Sequence, residues 1–468
     1  MRSPIRFLAF AAVLTGFAGT IRAQIPAVPP QRTTAFVDVT IIPMTGEPRT
    51  ETPGGAIAPL GIGGQTVIVR EGLIAAIGRT GSTPVPPDAL RIDGRGKFLI
   101  PGLAEMYGHV PGQPALAHAT MFLFVANGVT TVRGMQGNAA HIALREQIAR
   151  GEVLGPRFYA AGPQLGANVR TPEMADSIVR AQKAAGFDLL KIQENMPRAS
   201  YDAVVAAARR AGMPFGGHIP DEVGLWHALD SRQGTIDHLD NFMEAVTAAD
   251  FPEQRAYSPG VGGSNAEIDR RIAGAARAAK SAGTAVVPTM PLWEMLYIPP
   301  DSASVASRPE LRYMPRQTVA AWFRSIAGGG RVQGDSARSA WRATRMKILT
   351  ALHEANVPIL LGTDAPQVFS VPGFSIHREM EMMVEAGMHP HKVLRSGSRD
   401  VAQHFGTLAE TGTIEVGKRA DLVLLDADPI QSIANVQRRA GVMVNGRWLP
   451  ESEIRRGLDA LAASYASP

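Results

Sequence analysis

The sequence predicts an α/β fold: a closed (β/α)8 (TIM) barrel carrying a small β-sandwich built from N- and C-terminal segments. Three observations predict it. Between residues 101 and 404, eight short apolar runs alternate with helix-forming stretches, the signature of repeated strand–helix units. Alternating β-type segments flank that region at 34–100 and 405–450, so both ends of the chain contribute to one small domain. Polar residues suited to chemistry fall at the ends of several apolar runs, and a barrel gathers such ends at one mouth. An open doubly wound sheet fits the alternation equally well; the placement of the polar residues favours the barrel.

The elements follow in order. Arg2 and Arg6 precede the mostly apolar stretch Phe7 to Ala18, and Ile21-Arg22-Ala23 ends in a small residue. Residues 1–23 therefore read as a secretory signal cleaved before Gln24, with export to the periplasm or medium expected. The apolar run is short for a membrane span, and no membrane association is expected beyond this leader. Residues 24–33 form a Pro-rich linker. Residues 35–43 and 66–77 alternate as strands before Pro101-Gly102.

The barrel strands are expected at 103–107, 129–135, 156–162, 188–193, 214–219, 235–239, 285–290 and 358–364. Residues 202–212, 265–282 and 337–356 are the clearest helices, rich in Ala and Arg with apolar spacing. Residues 291–334 form a long insertion with Trp293, Tyr297, Tyr313 and Trp322. It reads equally as a lid or as a surface loop. Beyond the barrel, residues 412–426 and 442–449 return to strands, with an Asn445-Gly446 turn. Residues 451–468 are left as a tail.

Composition narrows the function. The 468 residues are 45% hydrophobic and 19% charged, which suits a folded protein rather than a disordered or membrane-spanning one. The formal charge of +5 falls to +2 once Arg2, Arg6 and Arg22 leave with the leader. Without a basic run or an interleaved aromatic stripe, nucleic acid is excluded as a partner. No cysteine is present, so any metal must be held by nitrogen and oxygen donors. The expected partner is a small molecule or dipeptide substrate, and a homo-oligomer is compatible with the chain.

The chemistry-bearing set is Tyr107, His109, Lys191, His218, His238 and Asp364, each at or near the end of an expected strand. Taken singly, each has a plain structural reading. A lone His is more often a packed residue than a ligand. Lys191 in an apolar run needs only an ion pair, and Asp364 fits a helix N-cap. Together they supply what a hydrolytic metal centre needs: neutral imidazoles, hard oxygen donors and a carboxylate to move a proton. Asp364 is the candidate for that proton, and a lysine between two cations makes sense only once carboxylated. Arg133, Arg170 and Trp293 are the candidates for substrate binding, though arginines at such positions are more often structural and aromatics more often simply pack.

Pro101-Gly102-Leu103, Gly128 to Met135, Asp188 to Ile192, Gly217-His218-Ile219-Pro220, Ile236-Asp237-His238, Leu361 to Asp364 and Gly412 to Val423 resemble motifs of the amidohydrolase superfamily. The likeness covers about residues 34 to 450 and is nearest the branch with imidazolonepropionase-like and Xaa-Pro dipeptidase-like enzymes. It implies His109, Lys191, His218, His238 and Asp364 as metal ligands, a divalent metal (zinc, one or two ions), and a carboxylated Lys191 if the centre is binuclear. One residue departs from the pattern: Tyr107 stands where the superfamily has the first His of His-x-His. The resemblance implies that this weakens the first metal site only and leaves the site of Lys191, His218 and His238 whole. Tyr107 is then expected to donate a hydrogen bond to a substrate carbonyl. The expected activity is hydrolysis of amide or peptide-like C–N bonds in dipeptides or N-acyl amino acids. Hydrolysis of a lactone or ester, or a non-catalytic binding role on the same scaffold, stands as the alternative.

Overall fold

A computed structural model describes residues 25–46, 60–247, 265–327 and 330–466. The leader expected at 1–23 lies outside the described residues. The chain enters through β1 (Thr34–Ile41), β2 (Ile62–Arg70), β3 (Leu73–Arg79), β4 (Leu90–Asp93) and β5 (Phe98–Pro101). It then forms β6 (Leu103–Gly108), β7 (Val129–Gly134), β8 (Arg157–Ala160), β9 (Leu190–Ile192), β10 (Phe215–Gly217), β11 (Thr235–Asp237) and β12 (Ala285–Val287). It closes with β13 (Leu422–Leu425), β14 (Arg439–Val444) and β15 (Arg447–Pro450).

The two ends of the chain meet at β5 and β13, which pair antiparallel from Leu422 opposite Pro101 to Leu425 opposite Phe98. The small domain is one continuously hydrogen-bonded sheet, ordered β15-β14-β13-β5-β1-β2-β3 with β4 also on β1. The expectation was one small β-sandwich built from N- and C-terminal segments, and both ends of the chain do supply its strands. Its strands have two buried faces because alternate residues point opposite ways. Leu99, Leu422, Leu424 and Met443 join Phe36 and Val67 in the domain's own core. Their neighbours Ile100, Val423, Val442 and Val444 pack into the large core of the barrel. The sheet is thus fixed to the barrel by every second side chain.

The barrel strands are parallel. β6, β7 and β8 form one run and β9 to β12 another, joined by a bridge between Ala161 and Leu189. Residues 358–364 close the circle without forming a regular strand. Ile359 bridges Val286 on one side. On the other, Met106 N donates to Leu361 O (2.9 Å) and Asp364 N to Tyr107 O (2.8 Å). Gly362 permits this approach, since a Cβ there would lie 2.9 Å from Tyr107 N and 3.0 Å from Glu105 Oε1.

Residues 291–334 are largely helical rather than an open loop. They form helices Met290–Tyr297, Ser302–Ala306 and Arg316–Ile326, with a 3-10 turn at Pro309–Tyr313. Buried Leu311, Tyr313, Trp322 and Ile326 tie the segment to the core. Residues 451–466 form a helix that buries Ile454, Leu458, Leu461 and Tyr465. It covers helix Pro114–Ala126, which is apolar on nearly every side because it is enclosed. Among the described residues no helix is long and apolar enough to cross a membrane.

Candidate active site

The barrel brings all six chemistry-bearing residues to one end. β6 delivers Tyr107 and, one residue past its end, His109; β9 carries Lys191; His218 and His238 directly follow β10 and β11; Asp364 ends the eighth run. The Tyr107 ring lies 4.4 Å from that of His238 and 5.5 Å from that of His109, and the His218 and His238 rings are 4.7 Å apart. His238 and Asp364 have φ of 66° and 65°, and Thr289 has 47°. Such left-handed conformations cost a non-glycine residue about 1–3 kcal/mol each. Two of them are anchored: His238 N donates to Val287 O and Asp364 N to Tyr107 O, both at 2.8 Å.

Each imidazole is held by its Nδ1. That of His109 meets Gln136 Oε1 at 2.9 Å, that of His218 meets Asp240 Oδ2 at 2.6 Å, and that of His238 meets Thr289 Oγ1 at 2.7 Å. The three Nε2 atoms therefore face the centre, the arrangement by which outer partners orient metal-ligating histidines. His109 Nε2 is 2.6 Å from Asp364 Oδ1, and His238 Nε2 is 3.7 Å from Asp364 Oδ2. His218 Nε2 lies 3.3 Å from Glu194 Oε2 and 3.4 Å from the Tyr107 hydroxyl. Lys191 Nζ donates to that hydroxyl at 2.5 Å.

Burial sets the protonation states. It pushes His218 down to about 4, with the neighbouring Lys191 charge adding to the effect. Burial, then His218 and Lys191, hold His238 well below its ordinary value. Both rings are therefore neutral at pH 7, the form that binds a cation. Burial lowers the Lys191 ammonium to about 8 and keeps the Tyr107 phenol protonated, well above its usual range. Gly217, at φ 124°, makes room for the lysine: a Cβ there would sit 2.8 Å from Lys191 Cδ and 2.9 Å from Nζ.

The substrate-binding candidates separate. Arg133 is buried inside the barrel, not free at the mouth. It donates to Met106 O (2.5 Å), Thr235 Oγ1 (2.9 Å) and Asp237 Oδ1 (3.0 Å). A guanidinium so committed is a structural tie between strands, and this corrects its expected substrate role. Arg170 is exposed on the turn before helix Pro172–Ala184 and makes none of the contacts that join the cluster. Trp293 does join it, its ring 5.8 Å from that of His238. The Tyr107 hydroxyl faces Lys191 and His218, and the residue is 1% exposed; it does not present its proton to the open mouth.

Sequence reasoning missed the supporting residues Gln136, Glu194, Asp240, Thr289 and Glu105. Fully buried Glu105 accepts from Tyr107 N (2.9 Å), Thr363 N (2.7 Å) and Thr363 Oγ1 (2.5 Å), tying β6 to the eighth run. A signal for it existed: an acid inside Leu103-Ala-Glu-Met-Tyr107, two residues from Tyr107 and so on the same strand face. Arg345 was also missed. It lies against Trp293 and Trp341 and donates to His238 O at 3.0 Å.

Comparison with known proteins now adds to this geometry. The sequence profile of the amidohydrolase family matches residues 115–449. The chain belongs to the amidohydrolase family. Over 112 residues it is 32% identical to imidazolonepropionase from Shouchella clausii (strain KSM-K16), a match of 22% of this chain and 24% of that enzyme's length. Bottromycin amidohydrolase aligns with 96% of this chain and 94% of its own, at TM-score 0.71 and 23% identity. A Xaa-Pro dipeptidase solved with methionine in its active site aligns with 89% of this chain and 100% of its own, at TM-score 0.64 and 19% identity. These likenesses support the (β/α)8 barrel with its small β-domain.

Amidohydrolases generally bind divalent metal, and the donor set here fits one. His238 Nε2 is buried and has no hydrogen-bond partner among the described residues, a costly state that a cation would relieve. Imidazole nitrogen with carboxylate oxygen is the donor chemistry of zinc-type sites. Among the described residues, no three His, Asp or Glu side chains are already drawn around one point as ligands.

Proposed function

We propose that this amidohydrolase hydrolyses amide or peptide-like C–N bonds of small substrates, dipeptides or N-acyl amino acids, with water as nucleophile. One observation carries the reading. Asp364 stands at the barrel mouth with Oδ1 2.6 Å from His109 Nε2 and Oδ2 3.7 Å from His238 Nε2, a nitrogen buried without a hydrogen-bond partner among the described residues. His109, His218, His238, Asp364 and Lys191 are the residues available to hold a divalent cation, zinc by donor type. Such an ion, when bound, supplies Lewis acidity that polarises a carbonyl and acidifies water.

The chain's own residues do the rest. Asp364 accepts the proton that water loses as its oxygen bonds to the carbonyl carbon. It returns that proton to nitrogen as the C–N bond breaks, so the amine leaves neutral. Thr289 and Gln136 keep His238 and His109 in the orientation the centre needs. Trp293, packed beside His238, offers an apolar wall for a substrate side chain. The names of two similar proteins, an amidohydrolase and a dipeptidase, support a C–N bond as the target.

The test is a panel of dipeptides, N-acyl amino acids, lactones and esters, offered to zinc-supplemented protein with amine and acid release followed by chromatography. Release of amine from at least one amide supports the proposal. Turnover confined to lactones or esters moves the substrate class, and no turnover of any compound defeats it. Export is a companion proposal resting on residues 1–23. Edman sequencing of protein from periplasm or medium should begin at Gln24, and an intact Met1 would refute it.

A further inference from the structure

The superfamily resemblance assigns one ion to Lys191, His218 and His238, with a weakened site on the His109 side. The geometry points the other way. We infer that the Tyr107 phenol fills the place of that ion, so that the centre holds a single cation on His109, His238 and Asp364 and Lys191 stays an unmodified amine. The inference rests on the hydrolase reading above and concerns how its site is built.

The phenol oxygen lies between the two supposed ligands, 2.5 Å from Lys191 Nζ and 3.4 Å from His218 Nε2. A zinc-type ion needs its imidazole nitrogen at about 2.0–2.1 Å, and the hydroxyl occupies that approach to His218. Carboxylation is blocked in the same way. The neutral amine would add to CO2 and lose a proton, extending Nζ by a carbon and two oxygens into the space the phenol oxygen holds. Elsewhere the lysine is enclosed: it is 0% exposed.

The opposite side has the open donors. His238 Nε2 is buried without a hydrogen-bond partner among the described residues, and Asp364 faces both imidazoles, Oδ1 2.6 Å from His109 Nε2 and Oδ2 3.7 Å from His238 Nε2. His109 and His238 are both oriented through Nδ1. Tyr107 therefore does more than omit a ligand. Its ring covers Lys191, with Nζ 4.6 Å from the ring centroid, and its hydroxyl takes the lysine's hydrogen bond. A lysine–phenol pair stands in for the second ion.

Two measurements decide the matter. In the first, wild-type protein equilibrated with 13C-bicarbonate and zinc is examined by 13C NMR and by plasma mass spectrometry. The expectation is one ion per chain and no carbamate carbon. Two ions, a carbamate signal, or no retained ion overturns the inference. In the second, variants of confirmed fold are compared for zinc affinity. Lys191→Met and His218→Ala should stay within about threefold of wild type, while His109→Ala and His238→Ala should weaken binding more than about tenfold, as loss of a ligand does. The reverse ranking overturns it. Tyr107→His should gain a second ion together with a carbamate signal. Amide turnover by a two-ion wild type would sink this inference and leave the hydrolase reading intact. One ion on His109, His238 and Asp364 with no amide turnover would do the opposite.

Discussion

Replacing Arg133 with Met separates a structural arginine from a substrate clamp. Arg133 and Asp237 are 1% and 0% exposed and 3.0 Å apart. The guanidinium also binds Met106 O and Thr235 Oγ1, so it links β6, β7 and β11 inside the barrel. Its removal strands a buried carboxylate whose Oδ2 already lacks a hydrogen bond among the described residues. Removing one partner of such a pair costs about 3–5 kcal/mol, whereas replacing both by apolar groups is often near neutral. Urea denaturation should therefore show Arg133→Met losing about 3–5 kcal/mol. The double variant Arg133→Met/Asp237→Leu should recover more than half of it, and the remainder would reflect the two hydrogen bonds left unmade, about 1 kcal/mol each. A loss below about 1 kcal/mol, with a tenfold rise in KM confined to carboxylate-bearing substrates (about 1.4 kcal/mol of binding), would refute the structural reading and restore Arg133 to the substrate.

Three further outcomes follow from named contacts. Thr289→Val removes the acceptor on His238 Nδ1; isothermal titration should show zinc binding about 10–100-fold weaker with the melting temperature little changed. Burial raises the Glu105 carboxyl to about 8, so the acid is neutral at pH 7. Its amide isostere Glu105→Gln should then cost under about 1 kcal/mol, while Glu105→Ala, losing three hydrogen bonds, should cost about 3 kcal/mol or more by denaturation. Burial lowers His377 to about 3 from an ordinary 6.5. The unfolded chain binds that proton first, so this contribution is fully present above pH 6.5 and is lost as pH falls toward 3. Stability measured across that window should decline less steeply for His377→Gln than for wild type, and an unchanged slope would show that this imidazole does not control it.

Much of the fold was legible because its determinants are local. The helix at Asn265–Ala282 has the bounds that its Ala-rich apolar spacing predicts. Seven of the eight expected barrel strands appear, each lying inside its expected run or, for β6, ending one residue beyond it, and several shorter by two or three residues. The eighth is irregular because Gly362 and the left-handed Asp364 bend it against β6, which no single-run pattern reports. The insertion's helices escaped notice because Pro299, Pro300 and Pro315 punctuate it, yet each break starts or ends a short helix. At the site, the residues on strand ends were readable from position. Their partners were not: Gln136, Asp240 and Thr289 meet the imidazoles only through the barrel's closure. Tyr107 is the sharpest case. Its departure from His-x-His was visible in the sequence, but the direction of its hydroxyl depends on where Lys191 and His218 lie in space.

The central claim is that Asp364 and its imidazole neighbours form a hydrolytic centre. The most direct measurement is the turnover number for the best amide substrate in three preparations: zinc-loaded wild type, the same protein after chelation, and zinc-loaded Asp364→Asn. Loss of a positioned proton-transfer group should lower kcat by about 10²–10⁴-fold, and chelation should abolish turnover until zinc is returned. Turnover by Asp364→Asn within about threefold of wild type, or full activity after chelation, would contradict the account.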